Sequence, residues 1–335
     1  MESAIDEAEV QTSLQQNKPE MNTDLCTITK TSQSNEKKDA VDALPYPVPL
    51  KPDQECLPTA AMPVHKNANC YNMNHKNRGK CIIFNHEEFD LSEFAKREGS
   101  TYDTLRLQNT FQYLDFDVEI YENLTYNQIM DVIEKVRHFD HTDNDCLCII
   151  VLTHGLDDDM LVAKNTIYES EMLWKPFTAD KCVTLAGKPK LFFIQACRGN
   201  KTDSGILLTH RRVIPNMKMN SGTDTLSSYT IPTHADFLIA HSSVQGFVNW
   251  RDLSTGTWYI QSLCDVLDEH GTEMELMNML TITAQKVATN FVSVHDNYVL
   301  HNKKQIPSVT SMLTRLVYFP QKSVTNSGKS YCRLL

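Results

Sequence analysis

The sequence predicts an α/β protein whose sheet is mainly parallel and carries helices on both faces. Residues 146–152 and 191–194 are uninterrupted apolar runs, which is typical of strands buried on both sides. Segments with helical periodicity lie between these runs and the other strand-like segments. Alternation of this kind is the pattern of parallel strands joined by crossover helices.

Strands and helices alternate through the first half of the folded region. Residues 80–85 predict the first strand, and residues 116–121 predict the second because their polarity alternates with period two. The helix between them has an apolar stripe of four residues: Leu105, Leu107, Phe111 and Leu114. A second helix over residues 125–138 leads into the strand at 146–152.

The second half continues the alternation. A small β excursion is predicted at residues 160–168, and a helical segment begins at Met172. The strand at 191–194 is separated by a long polar stretch from a strand at 235–241. The remaining elements are two amphipathic helices and a last strand, at residues 257–269, 273–291 and 308–319.

Length and composition restrict the class of protein. The chain has 335 residues, which suggests about two domains, and a net charge of −10, which argues against a general nucleic-acid binder. No apolar run approaches the roughly 18 residues of a membrane span, and the acidic N-terminus is not a signal peptide. The ten cysteines are scattered through apolar runs, as reduced thiols are. We therefore expect a cytoplasmic protein.

Two stretches lack the patterns of regular structure. Residues 1–66 are polar, have Tyr46 as their only aromatic residue, and predict a disordered tail in which residues 44–49 favour polyproline II. This segment has three interpretations: a short prodomain, a ligand for a proline-binding module, or a plain solvated tail. Residues 200–230 form a long polar loop, and such loops are usually functional or disordered.

Neither of two candidate sets of residues predicts a metal site. The first set consists of His65, Cys70, His75 and Cys81. Its spacing does not match the paired cysteines of structural zinc sites. The second set, Cys146 and Cys148, lies on one face of a buried strand, where core packing is favoured over redox or metal roles. The sequence therefore predicts no metal ion and no other cofactor.

Two reactive side chains come directly after the two apolar runs. Cys197 follows the run at 191–194, and His154 follows the run at 146–152. Chemistry in open α/β sheets lies outside the carboxyl ends of the strands, so parallel neighbours bring both side chains to one edge. A thiolate nucleophile and an imidazole base are the parts of a cysteine protease. A buried structural cysteine and a loop histidine are the alternative for each residue alone.

Four short motifs are distributed along the folded region: T-H-G at 153–155, Q-A-C-R-G at 195–199, N-W-R at 249–251 and K-Q-I-P at 304–307. Through them the chain from about residue 71 to residue 319 resembles the caspases, and most closely the effector caspases of insects. The resemblance implies a caspase-like fold with a six-stranded sheet. It also implies an active form that is a dimer of two cleaved large–small subunit pairs.

The resemblance also implies roles for individual residues. Cys197 matches the nucleophile and His154 the catalytic imidazole. The backbone N–H groups of Gly155 and Cys197 match the oxyanion hole, which stabilises the tetrahedral intermediate.

A pocket for the substrate aspartate is implied in the same way. Arg97, Gln195 and Arg251 match it, and two guanidiniums with an amide satisfy both oxygens of a carboxylate. The neighbouring subsites match three further residues: Asn249, Trp250 and Trp258.

Three positions depart from the caspase pattern. Residues 156–159 read L-D-D-D where the family usually has a Glu-Glu-Gly turn. Val248 replaces a frequent aromatic residue, which predicts a roomier groove. Asp252 replaces an asparagine that commonly holds an acidic residue four places before the cut. A second carboxylate should repel that residue unless one of the two is protonated, so we expect a relaxed or shifted preference there.

The resemblance divides the chain into three parts, a prodomain (1–66), a large subunit (67–224) and a small subunit (225–335). Residues 321–335 are expected to form a flexible tail. The tail ends in C-R-L-L, which has the outline of a prenylation box at Cys332 but has arginine where an aliphatic residue is usual.

Two cleavage sites are expected. A cut after Asp224 separates the subunits, because a protease can bind this polar loop in extended form. Asp203 is the rival site in the same loop. A cut after Asp42 removes the prodomain.

The sequence therefore predicts an effector-type caspase, a cytosolic zymogen that cuts after aspartate through a Cys–His dyad and a thioester, and that executes apoptosis. Expected partners are protein substrates, a second copy of the chain, an upstream initiator caspase and inhibitor-of-apoptosis proteins, with no nucleic acid and no membrane. The alternative is a catalytically weak homologue that regulates other caspases by binding, against which the joint presence of Cys197, His154 and the arginines argues. A protease cutting after Arg or Lys would need acidic residues where Arg97 and Arg251 stand.

Overall fold

The computed structural model describes residues 58–206 and 231–322. The predictions made for the N-terminal tail up to residue 57, for residues 207–230 of the polar loop and for the C-terminal tail from residue 323 lie outside the described residues. Asp42, Asp224 and Cys332 are among the positions concerned. In the described ranges, no helix is long and apolar enough to cross a membrane.

Ten strands alternate with the helices in the described part of the chain. They are β1 (Lys80–Asn85), β2 (Asp117–Glu122), β3 (Leu147–Leu152), β4 (Met160–Val162), β5 (Ile167–Glu169), β6 (Lys190–Gln195), β7 (Phe237–His241), β8 (Arg251–Asp252), β9 (Gly256–Thr257) and β10 (Ser308–Ser311). Six of them form one sheet in the order β10-β7-β6-β3-β1-β2, in which only the β10–β7 pair is antiparallel. The predicted mainly parallel sheet is confirmed. The predicted β excursion is the separate β4–β5 hairpin.

The two apolar runs form β3 and β6 at the centre of this sheet, and both strands are buried along their whole length. Ile150 and Phe193 point into one apolar cluster, and Ile149 and Phe192 point into a second cluster on the opposite face. Because both faces are covered, these strands show no polar alternation in the sequence.

In the described part of the chain, four α-helices cover the two faces of the sheet: α1 (Ser100–Tyr113), α2 (Tyr126–His138), α3 (Trp258–His270) and α4 (Leu276–Asn290). Residues of α1, α3 and α4 belong to the first cluster, and residues of α2 belong to the second. Helix α2 begins where the sequence predicts, because Thr125 and Gln128 form a reciprocal capping box.

The predicted apolar stripe of α1 is wrong at one position. Leu107, Phe111 and Leu114 are buried, but the side chain of Leu105 is 53% exposed. The buried face of the helix includes Asp103 instead, whose carboxylate accepts hydrogen bonds from Thr257 and Gln261. A pattern based on hydrophobicity cannot include a buried carboxylate.

Two predicted elements are shorter than expected. The last strand ends at Ser311, because the chain then leaves the sheet and Leu316 exchanges backbone hydrogen bonds with Asn69 and Tyr71 near the start of the folded region. The helical segment expected from Met172 consists of short 3₁₀ turns, Ser170–Leu173 and then Lys175–Phe177, with a proline in the first turn of the second.

A buried ionic cluster joins the two ends of the described chain. The side chains of Arg78 and Asp145 are fully buried and lie 2.8 Å apart. Lys322 also contacts Asp145, and its ammonium donates hydrogen bonds to the carbonyls of Met73 and His75. A buried carboxylate between two cations is compensated, so the cluster fastens the C-terminal segment to the N-terminal one.

Candidate active site

The register of β3 and β6 brings the two reactive residues to one edge of the sheet. Leu152 and Gln195 are paired across the two strands, so the chain leaves both strands at the same level. His154 and Cys197 follow them by two residues each. Gly155 lies so close to the nucleophile loop that a Cβ on it would fall 2.1 Å from the Cys197 carbonyl oxygen, so only glycine fits this approach.

The imidazole of His154 is fixed by a carbonyl and two aromatic rings. Its Nε2 lies 2.8 Å from the Ala95 oxygen, so Nε2–H donates and Nδ1 is left as the acceptor. The rings of Phe89 and Phe94 have centroids 4.9 Å and 5.5 Å from the imidazole. Burial lowers the pKa of His154, and the Ala95 hydrogen bond opposes that shift.

The thiol of Cys197 is partly buried and accepts a hydrogen bond from the backbone N–H of Asn249, with 3.4 Å between nitrogen and sulfur. Burial raises the pKa of the thiol above its ordinary value, and the Asn249 N–H and the charges of Arg97 and Arg251 oppose this. Both shifts favour the neutral forms, the thiol of Cys197 and the neutral imidazole of His154.

Arg97 precedes the polar loop in the chain and Arg251 follows it, and the charges of both act on Cys197. Arg97 is 2% exposed, and its guanidinium donates to the His86 carbonyl at 2.8 Å. Burial and repulsion from Arg251 lower the pKa of Arg97 to about 10. Within the described residues, the Gln195 side-chain oxygen and Arg251 Nε are buried without a hydrogen-bond partner.

Three stacked aromatic rings form a wall beside Arg251. The ring centroids of Trp250 and Trp258 lie 5.9 Å apart with 27° between the planes, and Phe291 stacks on Trp258 at 5.1 Å and 21°. The side-chain oxygen of Gln305 accepts the backbone N–H of Trp250 at 2.8 Å, which fixes the backbone that carries this ring. The side-chain polar atoms of Asn249 are buried and make no hydrogen bond among the described residues. The structure thus brings together the residues expected to line the groove.

Asp252 is exposed, and its carboxylate is turned back on its own hairpin. One oxygen accepts the N–H of Ser254 at 2.7 Å, its hydroxyl at 2.5 Å and the N–H of Thr255 at 3.2 Å. These hydrogen bonds lower the pKa of Asp252. The carboxylate is therefore held in its ionised form.

The loop after Gly155, whose sequence departs from the caspase pattern, is fixed by an ion pair that the sequence did not predict. Asp158 and Asp159 have φ values of 56° and 57°, a region in which glycine is ordinarily favoured. Arg198, next to Cys197, donates Nε–H to Asp159 at 2.7 Å. The pair joins the histidine loop to the cysteine loop, and no pattern of residue spacing indicated it.

Three other contacts could not be read from the sequence either. The Ala95 carbonyl is a backbone group, which no residue type announces. Phe89 and Phe94 are ordinary apolar residues whose contact with His154 depends on the fold.

In the described ranges, no group of three or more His, Cys, Asp or Glu side chains is arranged to hold a metal ion.

A mainly parallel sheet with a cysteine and a histidine at one edge is the arrangement of an α/β cysteine peptidase. The chain belongs to the caspase family, because residues 78–318 match the family model described as Caspase domain. It is an aspartate-specific cysteine endopeptidase of the effector type.

Individual relatives agree with this assignment. Caspase-1 of Spodoptera frugiperda is 47% identical over 264 residues, which cover 78% of this chain and 85% of that protein. Caspase drICE of Drosophila melanogaster is 40% identical, over 81% of this chain and 78% of that one. Caspase-7 of Gallus gallus is 41% identical, over 74% and 79%. The crystal structure of Spodoptera caspase-1 superposes with a TM-score of 0.73 and covers 79% of this chain and all of its own.

The burial of the dyad predicts the pH dependence of the activity. We expect kcat/KM to rise with pH through an apparent pKa below the ordinary imidazole value of about 6.5, since protonated His154 cannot accept the thiol proton. The measurement is kcat/KM for an aspartyl peptide from about pH 5 to about pH 9.

A variant that removes an aromatic contact of His154 tests whether burial is the cause of its lowered pKa. Phe94→Ala opens the imidazole to water, which removes part of the burial that favours the neutral form. The apparent pKa should therefore move up in this variant. An acid limb centred above about 6.5 in the wild type, or one that does not move in Phe94→Ala, would contradict the assignment.

Proposed function

We propose that this caspase uses Cys197 as its nucleophile and His154 as its general base, with Gly155 and Cys197 supplying the oxyanion hole. The observation that carries the proposal is the register of β3 and β6, which places the Gly155 backbone directly against the Cys197 backbone. Two backbone N–H groups at one such approach provide donors for a developing oxyanion.

The geometry supports one sequence of bond changes. The thiol proton passes to Nδ1 of His154, whose Nε2–H stays on the Ala95 carbonyl, and Sγ attacks the main-chain carbonyl carbon of the substrate aspartate. The tetrahedral intermediate collapses by breaking the C–N bond, and the imidazolium returns the proton to the leaving amine. Water then attacks the thioester with His154 again as the base, releasing the acid and the thiol.

Specificity for aspartate comes from Arg97, Gln195 and Arg251. The guanidinium of Arg97 is buried and Arg251 is half-buried, and burial and their mutual repulsion lower the pKa of Arg97 to about 10. A substrate carboxylate offsets that repulsion and accepts hydrogen bonds from both. A side chain without the carboxylate leaves the repulsion between the buried Arg97 and the half-buried Arg251 uncompensated.

The biological setting is inferred from the family. We assign the protein to the cytosol, to the execution of apoptosis and to a dimer of cleaved large–small pairs, activated from a zymogen by an upstream initiator caspase and controlled by inhibitor-of-apoptosis proteins. The boundaries proposed for the subunits remain 67–224 and 225–335. The alternative, a weak homologue that binds other caspases, is disfavoured because a binding protein does not require the dyad and the arginine pocket together.

The arginine pocket predicts a loss of activity that is specific to the substrate carboxylate. Arg97→Ala or Arg251→Ala should lower kcat/KM for an aspartyl peptide, with a loss of about 3 kcal/mol of transition-state stabilisation. Each variant leaves the buried substrate carboxylate without one of its two guanidinium partners. Turnover of aspartyl and asparaginyl peptides is compared for each variant. Equal cutting of the two peptides by the wild type would refute the pocket.

Two controls separate this loss from misfolding. Arg106→Ala removes another arginine, which lies on α1 and pairs with Asp265 and Asp268 at the surface, and should leave kcat/KM unchanged. Cys197→Ser should fold like the wild type and show no turnover. Peptidase activity in that variant would remove Cys197 from the mechanism.

The ionised carboxylate of Asp252 predicts the preference four residues before the cut. Asp252→Asn keeps an oxygen for the Ser254 hydrogen bonds and removes the charge, so kcat/KM for Asp-x-x-Asp peptides should rise about threefold or more. Peptides that are uncharged at that position should be cut at the wild-type rate. If the two peptide classes respond alike, repulsion by Asp252 is not the cause.

The two aspartates of the polar loop predict different cleavage. Asp203 is held in place, because its carbonyl accepts the Lys304 N–H and its carboxylate accepts the Gly205 N–H, each at 2.8 Å. A protease that needs an extended substrate must break these contacts. We therefore expect the small subunit to begin at Thr225 in N-terminal sequencing and Asp224→Ala to block processing. Asp203→Ala is the matched control, and a small subunit beginning at Ser204 would reverse the assignment.

A further inference from the structure

Asp103 is a buried carboxylate close to the arginine pocket, and the proposed mechanism gives it no role. It lies in the first turn of α1, the helix that follows Arg97, and is 0% exposed. One carboxylate oxygen accepts two hydrogen bonds, from the backbone N–H of Thr257 and from the side-chain amide of Gln261, each at 2.9 Å. Both donors belong to the segment beyond the polar loop.

This contact reaches the strand that carries the second arginine. Thr257 is the cross-strand partner of Arg251 in the β8–β9 hairpin, so a group that holds Thr257 also holds Arg251. The fit is close, because a Cβ on Gly256 would lie 2.3 Å from the same Asp103 oxygen. Asp103 thus connects the element that begins after Arg97 to the hairpin that begins with Arg251.

The negative charge of Asp103 is also favourable near the two positively charged arginines. Arg97 and Arg251 are both drawn toward lower pKa by burial, and the negative charge of Asp103 opposes the shift in both. Glu87 acts in the same direction, but it is partly exposed and has Lys96 at 3.4 Å. The second Asp103 oxygen is buried and has no hydrogen-bond partner among the described residues. The charge of Asp103 therefore acts on both guanidiniums, while burial raises the pKa of Asp103 itself and the Thr257 and Gln261 hydrogen bonds oppose that shift.

We propose that Asp103 is a positioning residue for substrate selection: by holding the β8–β9 hairpin against α1, it fixes the separation of the Arg97 and Arg251 guanidiniums. That separation determines whether the pocket fits the carboxylate of aspartate or that of glutamate, which is one methylene longer. The inference rests on the proposed role of the two arginines.

The test compares kcat/KM for two peptides that differ only in aspartate or glutamate before the cut. The ratio is measured within one enzyme preparation, so the fraction of folded enzyme cancels. In Asp103→Ala the ratio should fall about tenfold or more toward unity, since one methylene is discriminated only by a well-fixed pocket. In Asp103→Asn it should stay within about twofold of the wild type, because one oxygen still accepts both hydrogen bonds.

A matched control lies on the same helix. Thr110→Val changes another buried polar residue of α1, and Thr110 neighbours Cys264 of α3 rather than the hairpin. Its ratio should equal that of the wild type. If Asp103→Ala does not fold, Gln261→Leu removes one of the two donors from the other side and should lower the ratio in the same direction.

The outcomes separate this inference from the function on which it rests. An unchanged ratio in Asp103→Ala, or in Gln261→Leu where the first variant does not fold, overturns the inference while aspartate cleavage by the wild type stands. An equal fall in Asp103→Asn and Asp103→Ala also overturns it, since the hydrogen bonds would not be the cause. A wild type that cuts equally after aspartate and glutamate also overturns the inference, since there is no selection for Asp103 to support, whereas one that cuts equally after aspartate and asparagine overturns the arginine pocket itself.

Discussion

The active site depends on the parallel register of β3 and β6. Pairing of Leu152 with Gln195 makes the two chains leave the sheet together, and the close approach of Gly155 to the Cys197 carbonyl holds the histidine loop against the cysteine loop. A shift of one residue would turn each side chain of a strand to the opposite face and remove the shared exit. Apolar packing on both faces of the sheet holds this register, so the core specifies how the loops of His154 and Cys197 meet.

The site also concentrates positive charge in a place that water reaches poorly. Burial draws the pKa of Arg97, Arg251 and His154 downward and that of Cys197 upward, which favours the neutral forms of thiol and imidazole. The arginines remain cationic because even a pKa of about 10 lies well above neutrality. An anionic substrate side chain therefore enters a field that the protein itself only partly neutralises through Asp103.

The fold could be predicted from the sequence where local pattern and tertiary environment agree. β1 coincides with the predicted strand, β3 begins one residue later than its predicted run, and β6 extends one residue beyond its predicted run at each end. The agreement is close because the apolar runs of β3 and β6 are buried on both sides. The prediction of the apolar stripe of α1 was wrong at Leu105, since hydrophobic periodicity does not anticipate the inward carboxylate of Asp103. The last strand ended early because its continuation pairs with the N-terminal segment, a contact between distant parts of the chain.

The same distinction explains the candidate site. Cys197 and His154 were predicted because reactive residues directly after apolar strands are conspicuous, whereas Arg97 and Arg251 were predicted from the resemblance to the caspases. The groups that orient them are a carbonyl at Ala95, a ring at Phe94 and a buried acid at Asp103, and each acquires its role only through contacts across the fold.

The contacts across the polar loop constrain how its proposed cleavage can act. The chain after Cys197 is already bonded to the segment beyond the loop, since Arg198 accepts the N–H of Gly246 at 2.6 Å and donates its own N–H to Phe247 at 3.0 Å. Lys201 donates to Gly246 at 2.9 Å, and Asp103 spans the same division at the pocket. A cut within the loop therefore leaves the dyad and both arginines attached to one another. We therefore infer that the proposed cut acts through the two new chain ends rather than by bringing Cys197, His154 and the arginines together.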